Sequence, residues 1–357
     1  EHRQLGHADR VDDAEVLSVL AHTLTNKLIH APCAGLRTAP QCALSSTKPN
    51  AMDTRNALDA RAVGLMVVLC LIWSAQQIAL KATAQDCAPL LQIAVRSGVA
   101  ALLVGLWMAW RRERLTLAHG VWQPGVAAGA LFALEFLLAG EGLRYTSAAH
   151  MVVFLYTAPI FAALGLHWWL PAERLAPLQW AGIALAFTGI VVAFFLRGSQ
   201  GAGPDWQRML WGDLLGLLAG AAWGATTVLI RVTRLSSLPA SQTLLYQLVV
   251  GFALLVPLAW GAGHVSAFHG TPAVWASLAF QSVVVSFASF LLWFWLLTRY
   301  PATQVQAFVL LTPVFGTLSA GLLLDEPITP ALLLALVGIC LGLVLLNRRP
   351  SVRTSPA

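Results

Sequence analysis

Two oppositely charged residues, Arg96 and Glu135, stand inside long apolar stretches of this sequence. A charge in the hydrocarbon core of a membrane is costly unless it is paired or lines a cavity, so it marks a candidate functional site. Arg96 is suited to hold a substrate carboxylate, and Glu135 is suited to bind and release a coupling proton. The alternatives are a static ion pair that locks two helices, or snorkelling of Arg96 to the outer surface.

Six uncharged polar or aromatic side chains within apolar stretches are further candidates for contact with a substrate. They are Trp73, Gln77, Tyr156, Trp223, Tyr246 and Gln247. Each amide has a structural alternative, because polar side chains in membrane helices often hydrogen-bond to a neighbouring helix.

Two prolines, Pro159 and Pro313, fall near the middle of apolar stretches. Proline lacks a backbone N–H and leaves a carbonyl without its helical partner, so we expect each helix to break or kink there. Helix breaks at matching positions in two repeats indicate a transport site, whereas the alternative is a kink that only shapes packing.

These residues must be positioned by membrane helices, as the composition indicates. The chain is 58% hydrophobic and 11% charged, whereas soluble proteins carry about 25% charged residues. Apolar runs of about 18 residues or more, separated by short polar joints, predict an all-α integral membrane protein. Ten transmembrane helices are predicted at residues 62–80, 88–110, 121–139, 146–170, 178–196, 212–230, 239–261, 273–298, 302–324 and 328–346.

Sequence markers recur in the same order in two halves of five spans. Trp73 and Trp223 are 150 residues apart, and Pro159 and Pro313 are 154 apart. An odd number of spans per half inverts the second copy in the membrane, so we predict two inverted five-helix repeats. The predicted segments are a first repeat at 62–196, a linker at 197–211, a second repeat at 212–346 and a cytoplasmic tail at 347–357.

The distribution of basic residues predicts the orientation of these helices in the membrane. Counted from residue 52 and without Arg96, twelve arginines fall in the joints and tails on the side of the N-terminus, and four basic residues fall on the other side. The positive-inside rule therefore places both termini in the cytoplasm. This distribution explains the formal charge of +6 without a nucleic-acid partner.

Each half also contains a longer pattern that resembles a known family. The first copy reads Leu143-Arg144-Tyr145, Tyr156 to Pro159, then Glu173, and the second reads Arg299-Tyr300, Leu311 to Pro313, then Glu326. Two such copies look like the EamA-type transporters of the drug/metabolite transporter superfamily, across residues 62–346. The resemblance implies a carrier of the bacterial inner membrane for small metabolites, and that family handles amino acids, sugars and drugs.

Glycines and the two repeated glutamates are expected to serve structure. Four glycines spaced by four residues, from Gly212 to Gly224, give the sixth span a face that a neighbouring helix can approach closely. Glu173 and Glu326 each follow a predicted span, and we expect solvated turn residues or caps for the next helix.

No cofactor or metal site is indicated. The five cysteines lack metal-ligand spacing and do not suggest a disulfide framework. His150 and His167 are separated by about 25 Å along one helix, too far apart to share a metal.

Residues 1–51 have a different, polar composition and precede Met52. They are interpreted either as upstream translation that is not part of the native protein or as a disordered cytosolic extension.

The sequence therefore predicts a secondary active transporter of a small polar metabolite, proton-coupled or an exchanger, rather than an enzyme. A P-loop for ATP is absent from the sequence. The alternative is a non-transport membrane protein, either an intramembrane enzyme or a structural or regulatory subunit. The expected partners are the substrate, protons and the lipid bilayer, with a homodimer as an alternative to a monomer.

Overall fold

The computed structural model describes residues 59–118, 120–171, 174–199, 206–299, 308–309 and 311–347. Within these ranges all regular secondary structure is helical and no strand occurs. The interpretations of residues 1–51, of Glu173 and of the tail beyond Asn347 lie outside the described residues.

The first half begins with three helices, α1 (Ala60–Ala82), α2 (Pro89–Trp110) and α3 (Trp122–Gly142). The fourth predicted span consists of two helices, α4 (Ala148–Leu155) and α5 (Ala158–Trp169), and α6 (Pro177–Ser199) follows. Local sequence explains several starts. Asp59 accepts a hydrogen bond from the Ala62 N–H at 2.7 Å, and proline opens α2 and α6 where its missing N–H has no helical partner to lose.

The second half begins with α7 (Trp206–Val232), a 3₁₀ turn (Arg234–Ser237) and α8 (Ala240–Gly261). The eighth predicted span is a continuous helical segment. It is composed of α9 (Pro272–Ala279), a π-helical segment (Phe280–Ser289) and α10 (Phe290–Arg299). The described chain ends with α11 (Leu311–Leu323) and α12 (Pro330–Asn347).

The predicted helical membrane architecture is confirmed. Among the described residues, seven helical segments are, by length and composition, long and apolar enough to cross a membrane. Shorter apolar helical stretches at Pro177–Val191, Leu311–Leu323 and Pro330–Leu346 lie in the other three predicted spans. The count of ten spans and the inversion of the halves stay predictions.

Helices extend into both ends of the predicted linker 197–211, whose place as a boundary between repeats stays a prediction. Helix α6 runs to Ser199 and α7 begins at Trp206. Trp206, Met209 and Leu210 continue the apolar spacing of an amphipathic helix, which explains the early start of α7.

The helices pack in pairs that are related by exchange of the two halves. Helix α1 packs on α11 in the ninth span, and α7 in the sixth span packs on α4 and α5 in the fourth. Helix α3 packs on α8, and α2 packs on the π-helical segment. In the pairs α2–α8 and α6–α12, each helix contacts its own counterpart in the other half, so exchanging the halves leaves these pairs unchanged. These pairs follow the repeat in the sequence, whereas α3 packs on α7 far more extensively than α1 packs on the eighth span.

The glycine face of α7 provides close packing, as predicted. A Cβ atom on Gly220 would lie 2.7 Å from Thr157 Oγ1 and 2.9 Å from the Phe154 carbonyl oxygen. Helices α6 and α12 also meet through glycines, since a Cβ on Gly182 would lie 2.6 Å from the Gly342 carbonyl oxygen.

We expect Gly220→Ala to lower the stability of the purified protein by about 1–3 kcal/mol, because the added methyl group meets backbone carbonyls of α4. Thermal unfolding in detergent measures this change. Gly105→Ala is the matched control, since a Cβ on Gly105 has no atom within 4 Å and alanine favours a helix over glycine. Equal midpoints for the two variants would contradict the packing role of Gly220.

Candidate functional site

The break between α4 and α5 places Tyr156 and Thr157 inside the protein. Pro159 cannot donate to the Leu155 carbonyl, and the Thr157 hydroxyl donates to the Phe154 carbonyl oxygen at 2.6 Å. The chain resumes helical bonding when the Ile160 N–H donates to the Thr157 carbonyl oxygen at 2.8 Å. Both Tyr156 and Thr157 are buried, so the irregular backbone is enclosed by protein, as a membrane interior requires.

Pro313 lies in the first turn of α11, beside a polar connection to α1. The Ser74 hydroxyl lies 2.7 Å from the Cys70 carbonyl oxygen and 2.8 Å from the Thr312 carbonyl oxygen, and it can donate to either. The Cys70 thiol donates to the Phe308 carbonyl oxygen at 3.2 Å. These bonds attach α1 in the first half to the start of α11 in the second.

The regions around Pro159 and Pro313 approach each other. The Tyr156 side chain is near that of Thr312, and the Thr312 hydroxyl is buried without a hydrogen-bond partner in the described part of the chain. From the other side, Trp223 of α7 packs edge-on against Tyr156, with ring centroids 5.5 Å apart. Tyr156 therefore lies where α4, α7 and α11 meet.

Arg96 and Glu135 are both buried, with 3% and 6% of their surfaces exposed. They influence each other electrostatically, but within the described residues no salt bridge of 4.0 Å or less joins them. The Arg96 guanidinium instead lies over the ring of Phe136, with Cζ 4.5 Å from the ring centroid. Arg96 Nη1 is buried and makes no hydrogen bond with any described residue.

This geometry differs from both structural alternatives for the pair. A locked ion pair requires direct contact, and snorkelling requires an exposed guanidinium. Neither is observed. The unpartnered guanidinium nitrogen can bind an anionic group, and the nearby carboxylate can bind a cationic group.

On α1, Gln77 and Trp73 lie one turn apart but have different surroundings. Gln77 is 3% exposed, and its Oε1 atom has no hydrogen-bond partner among the described residues. Trp73 donates from Nε1 to the Ser289 hydroxyl at 3.0 Å and packs against Trp293. Trp73 thus connects α1 with the eighth span, while Gln77 keeps an unused acceptor.

Tyr246 and Gln247 do not join these residues. The Tyr246 hydroxyl donates to the Thr116 carbonyl oxygen at 2.9 Å, and Gln242 donates to the same oxygen at 3.0 Å. Tyr246 therefore fastens the connection between α2 and α3 to α8. Gln247 is only half-buried.

Glu326 lies in the turn after α11, which agrees with one of its two expected roles, but it does not cap the next helix. Thr329 caps the next helix, α12, by accepting from the Leu332 N–H at 3.2 Å. Glu326 instead accepts hydrogen bonds from the N–H groups of Ala148 and Ala149, at 2.8 and 3.0 Å. It caps α4 in the opposite half because the turn after α11 lies beside the start of α4.

Sequence reasoning missed the polar face of the eighth span. Ser282, Ser286 and Ser289 are buried in the π-helical segment, and their spacing of four and three residues is a helical-face signal that was available. It also missed Gln281, which donates to Gln92 Oε1 at 2.9 Å. In the described part of the chain, no group of three His, Cys, Asp or Glu residues is arranged to hold a metal ion.

Comparison with known proteins agrees with the family resemblance of the sequence. A family model described as the EamA-like transporter family matches residues 60–195 and 210–348. An uncharacterized transporter of Archaeoglobus fulgidus is 27% identical over 270 residues, which is 73% of this chain and 89% of the relative. A probable amino-acid metabolite efflux pump of Escherichia coli is 27% identical over 293 residues, or 78% of this chain and 92% of the relative.

A solved crystal structure has the same fold at a TM-score of 0.54 and 20% sequence identity. The aligned region covers 80% of this chain and 97% of the matched chain. At that identity, the likeness supports the fold alone.

Proposed function

This chain belongs to the EamA-like transporter family, and on that premise we propose that it is a secondary active transporter of a small polar metabolite. The observation that carries the proposal is the buried pair Arg96 and Glu135, which are close in space but do not neutralise each other through direct contact. A substrate that enters between them supplies the missing partners.

We propose that transport proceeds by alternating access between two inverted halves. Support comes from the helix contacts, which exchange with one another when the halves are exchanged. Further support comes from the contact between α4, which ends at the break at Tyr156, and the proline-containing α11. Broken helices at the interface of repeats are where transporters of this architecture bind their substrates.

The chemistry of the site favours an amino acid or a related zwitterion. Arg96 offers a guanidinium for the substrate carboxylate, and Glu135 offers a carboxylate for an ammonium group or a coupling proton. Tyr156 and Trp223 offer aromatic faces for an apolar side chain. The E. coli relative is named as an amino-acid metabolite efflux pump, which agrees with this class. Drugs and other small metabolites remain the wider class.

The charge distribution of the chain supports a proposed membrane placement. Its basic residues concentrate on the side of the N-terminus, so we propose a location in the bacterial inner membrane with both termini in the cytoplasm. The substrate gradient, or a proton gradient through Glu135, supplies the driving force.

The proposal is tested by counterflow. The full chain is reconstituted into liposomes that are loaded with one unlabelled compound, and uptake of a trace of the same labelled compound is followed. We expect saturable counterflow for at least one amino acid, and none in protein-free liposomes. The panel also includes sugars and cationic drugs.

A monodisperse protein without counterflow for any compound would overturn the transport function. It would favour the non-transport alternative, an intramembrane enzyme or a structural or regulatory subunit. A charge-dependent pattern, with zwitterions transported and neutral sugars excluded, would support the assigned roles of Arg96 and Glu135.

A further inference from the structure

A polar cluster fastens the two halves together at the outer ends of α1, α3 and α4. We propose that Glu326, together with Asp213, is a latch that closes the outer side of the transport path. The inference rests on the proposed transport function, because only alternating access requires an outer closure that opens.

Glu326 binds the start of α4 with both carboxylate oxygens. Oε1 accepts from the Ala148 N–H at 2.8 Å, and Oε2 accepts from the Ala149 N–H at 3.0 Å. A carboxylate at the N-terminus of a helix is stabilised by charge-assisted hydrogen bonds and by the helix dipole. The bonds cross between the halves, since Glu326 follows α11 and Ala148 opens α4.

The next N–H group of α4 is satisfied within the first half. Ser147 accepts from the His150 N–H at 3.1 Å, which is the usual role of an N-cap residue. The start of α4 therefore already has a cap from its own half of the protein. Glu326 adds bonds that join the second half to the first.

Asp213 of α7 makes a second connection of the same kind. Its Oδ2 atom lies 3.1 Å from His150 Nδ1, and the Thr146 hydroxyl donates to Oδ1. Asp213 and His150 are buried, at 2% and 3% exposure. Two carboxylates of the second half, Glu326 and Asp213, thus hold one short stretch of the first half, residues 146–150.

Lys81 supports that stretch from within the first half. Its Nζ donates to the carbonyl oxygens of Leu143 and Thr146, and its charge acts on Glu326. The turn that carries Glu326 is set by Asp325, whose φ of 52° is a left-handed conformation that Asp tolerates.

Lys81 links this cluster to the candidate residue Gln77 on the same helix. Gln77 is four residues, or about 6 Å of helix rise, before Lys81 on α1, and it is buried with an unpartnered Oε1. When the halves separate on the outer side, the bonds of Glu326 and Asp213 must break, and Gln77 becomes accessible from outside.

The test measures this accessibility without depending on transport. All five native cysteines are replaced, and Gln77→Cys is introduced as a reporter in the full chain. Replacement includes Cys87, although burial and the neighbouring Asp86 raise the pKa of its thiol to about 11. Right-side-out vesicles are treated with a charged, membrane-impermeant methanethiosulfonate, and the labelling rate is recorded.

We expect Glu326→Gln to raise the labelling rate about tenfold, because a neutral amide replaces charge-assisted hydrogen bonds. Asp213→Asn should raise it as well. Glu141→Gln is the matched control on the same side, since Glu141 pairs with Arg144 in its own half at 2.7 Å, and its rate should stay at the reference value.

Equal labelling rates in Glu326→Gln, Asp213→Asn and the Glu141→Gln control, with all proteins monodisperse, would overturn the latch. If Asp213→Asn fails to fold, the labelling rate of Glu326→Gln tests the latch alone. If Glu326→Gln fails to fold, a second pair of substitutions, Thr146→Cys and Asp213→Cys, tests the closure. Oxidation of this pair should stop counterflow and reduction should restore it. Undiminished counterflow in the crosslinked protein would also overturn the latch.

Failure of the latch and failure of the proposed function give different results. Counterflow in the wild-type chain with unchanged labelling removes the latch and leaves the transporter. Increased labelling in Glu326→Gln without counterflow for any compound removes the transport function and leaves an outer contact that opens.

Discussion

Arg96→Gln is expected to reduce counterflow of a carboxylate-bearing substrate by about 10²- to 10⁴-fold. The Arg96 guanidinium is almost fully buried, and its Nη1 atom has no described partner. Removing one member of a desolvated, hydrogen-bonded charge pair costs about 3–5 kcal/mol. That cost falls on the substrate complex, because the free protein does not pair Arg96 directly with Glu135.

The same substitution should leave the thermal stability unchanged or slightly raised. A locked structural ion pair would predict a clear loss of stability, since its removal leaves a buried charge uncompensated. Arg96 is held instead over Phe136. Counterflow and thermal unfolding, measured on one preparation, therefore separate a binding role from a structural role.

Arg144→Gln is the matched control for Arg96→Gln. Arg144 is nearly half exposed and pairs with Glu141 three residues away, and exposed pairs of this kind contribute little. Its counterflow should stay within about twofold of the wild type. Transport by Arg96→Gln at the level of this control would remove Arg96 from the binding site.

The second large effect is expected for Glu135→Gln. We expect this variant to lose uptake driven by a pH gradient and to retain exchange of substrate against substrate. A carboxylate can bind and release a proton during the transport cycle, whereas an amide of the same shape cannot. The substrate-binding geometry is preserved because glutamine has nearly the same volume as glutamate.

The measurement compares gradient-driven uptake with counterflow in the same liposomes. Glu141→Gln serves as the control, since it removes a carboxylate that is paired with Arg144 near the outer ends of the helices. Unchanged driven uptake in Glu135→Gln would exclude Glu135 from proton coupling. Loss of both activities would assign Glu135 to substrate binding instead.

Much of the architecture could be predicted because its signals are local. Apolar runs gave the membrane helices, and the fourth span breaks beside Pro159, since proline removes a hydrogen bond wherever the helix lies. The glycine face of α7 was also readable, because a spacing of four residues places all four glycines on one side of a helix.

The partners of polar side chains were harder to predict. Tyr246 and Tyr156 are both tyrosines within apolar spans, yet Tyr246 binds the Thr116 carbonyl and Tyr156 packs at the meeting point of α4, α7 and α11. Glu326 lies in a turn, as expected, but it caps α4 rather than the next helix. Each outcome depends on a segment far away in sequence.

The amino-acid sequence alone indicates a helical membrane protein built from two related halves, with Arg96 and Glu135 inside apolar stretches of the first half. Hydrophobicity and proline act within a few residues, so these features need no knowledge of neighbours. The folded arrangement was needed to learn that Arg96 and Glu135 lack a direct salt bridge, that Thr312 lies beside Tyr156, and that Glu326 bonds across the two halves. Those contacts depend on how each helix is rotated and crossed against distant partners, which periodicity along one helix does not encode.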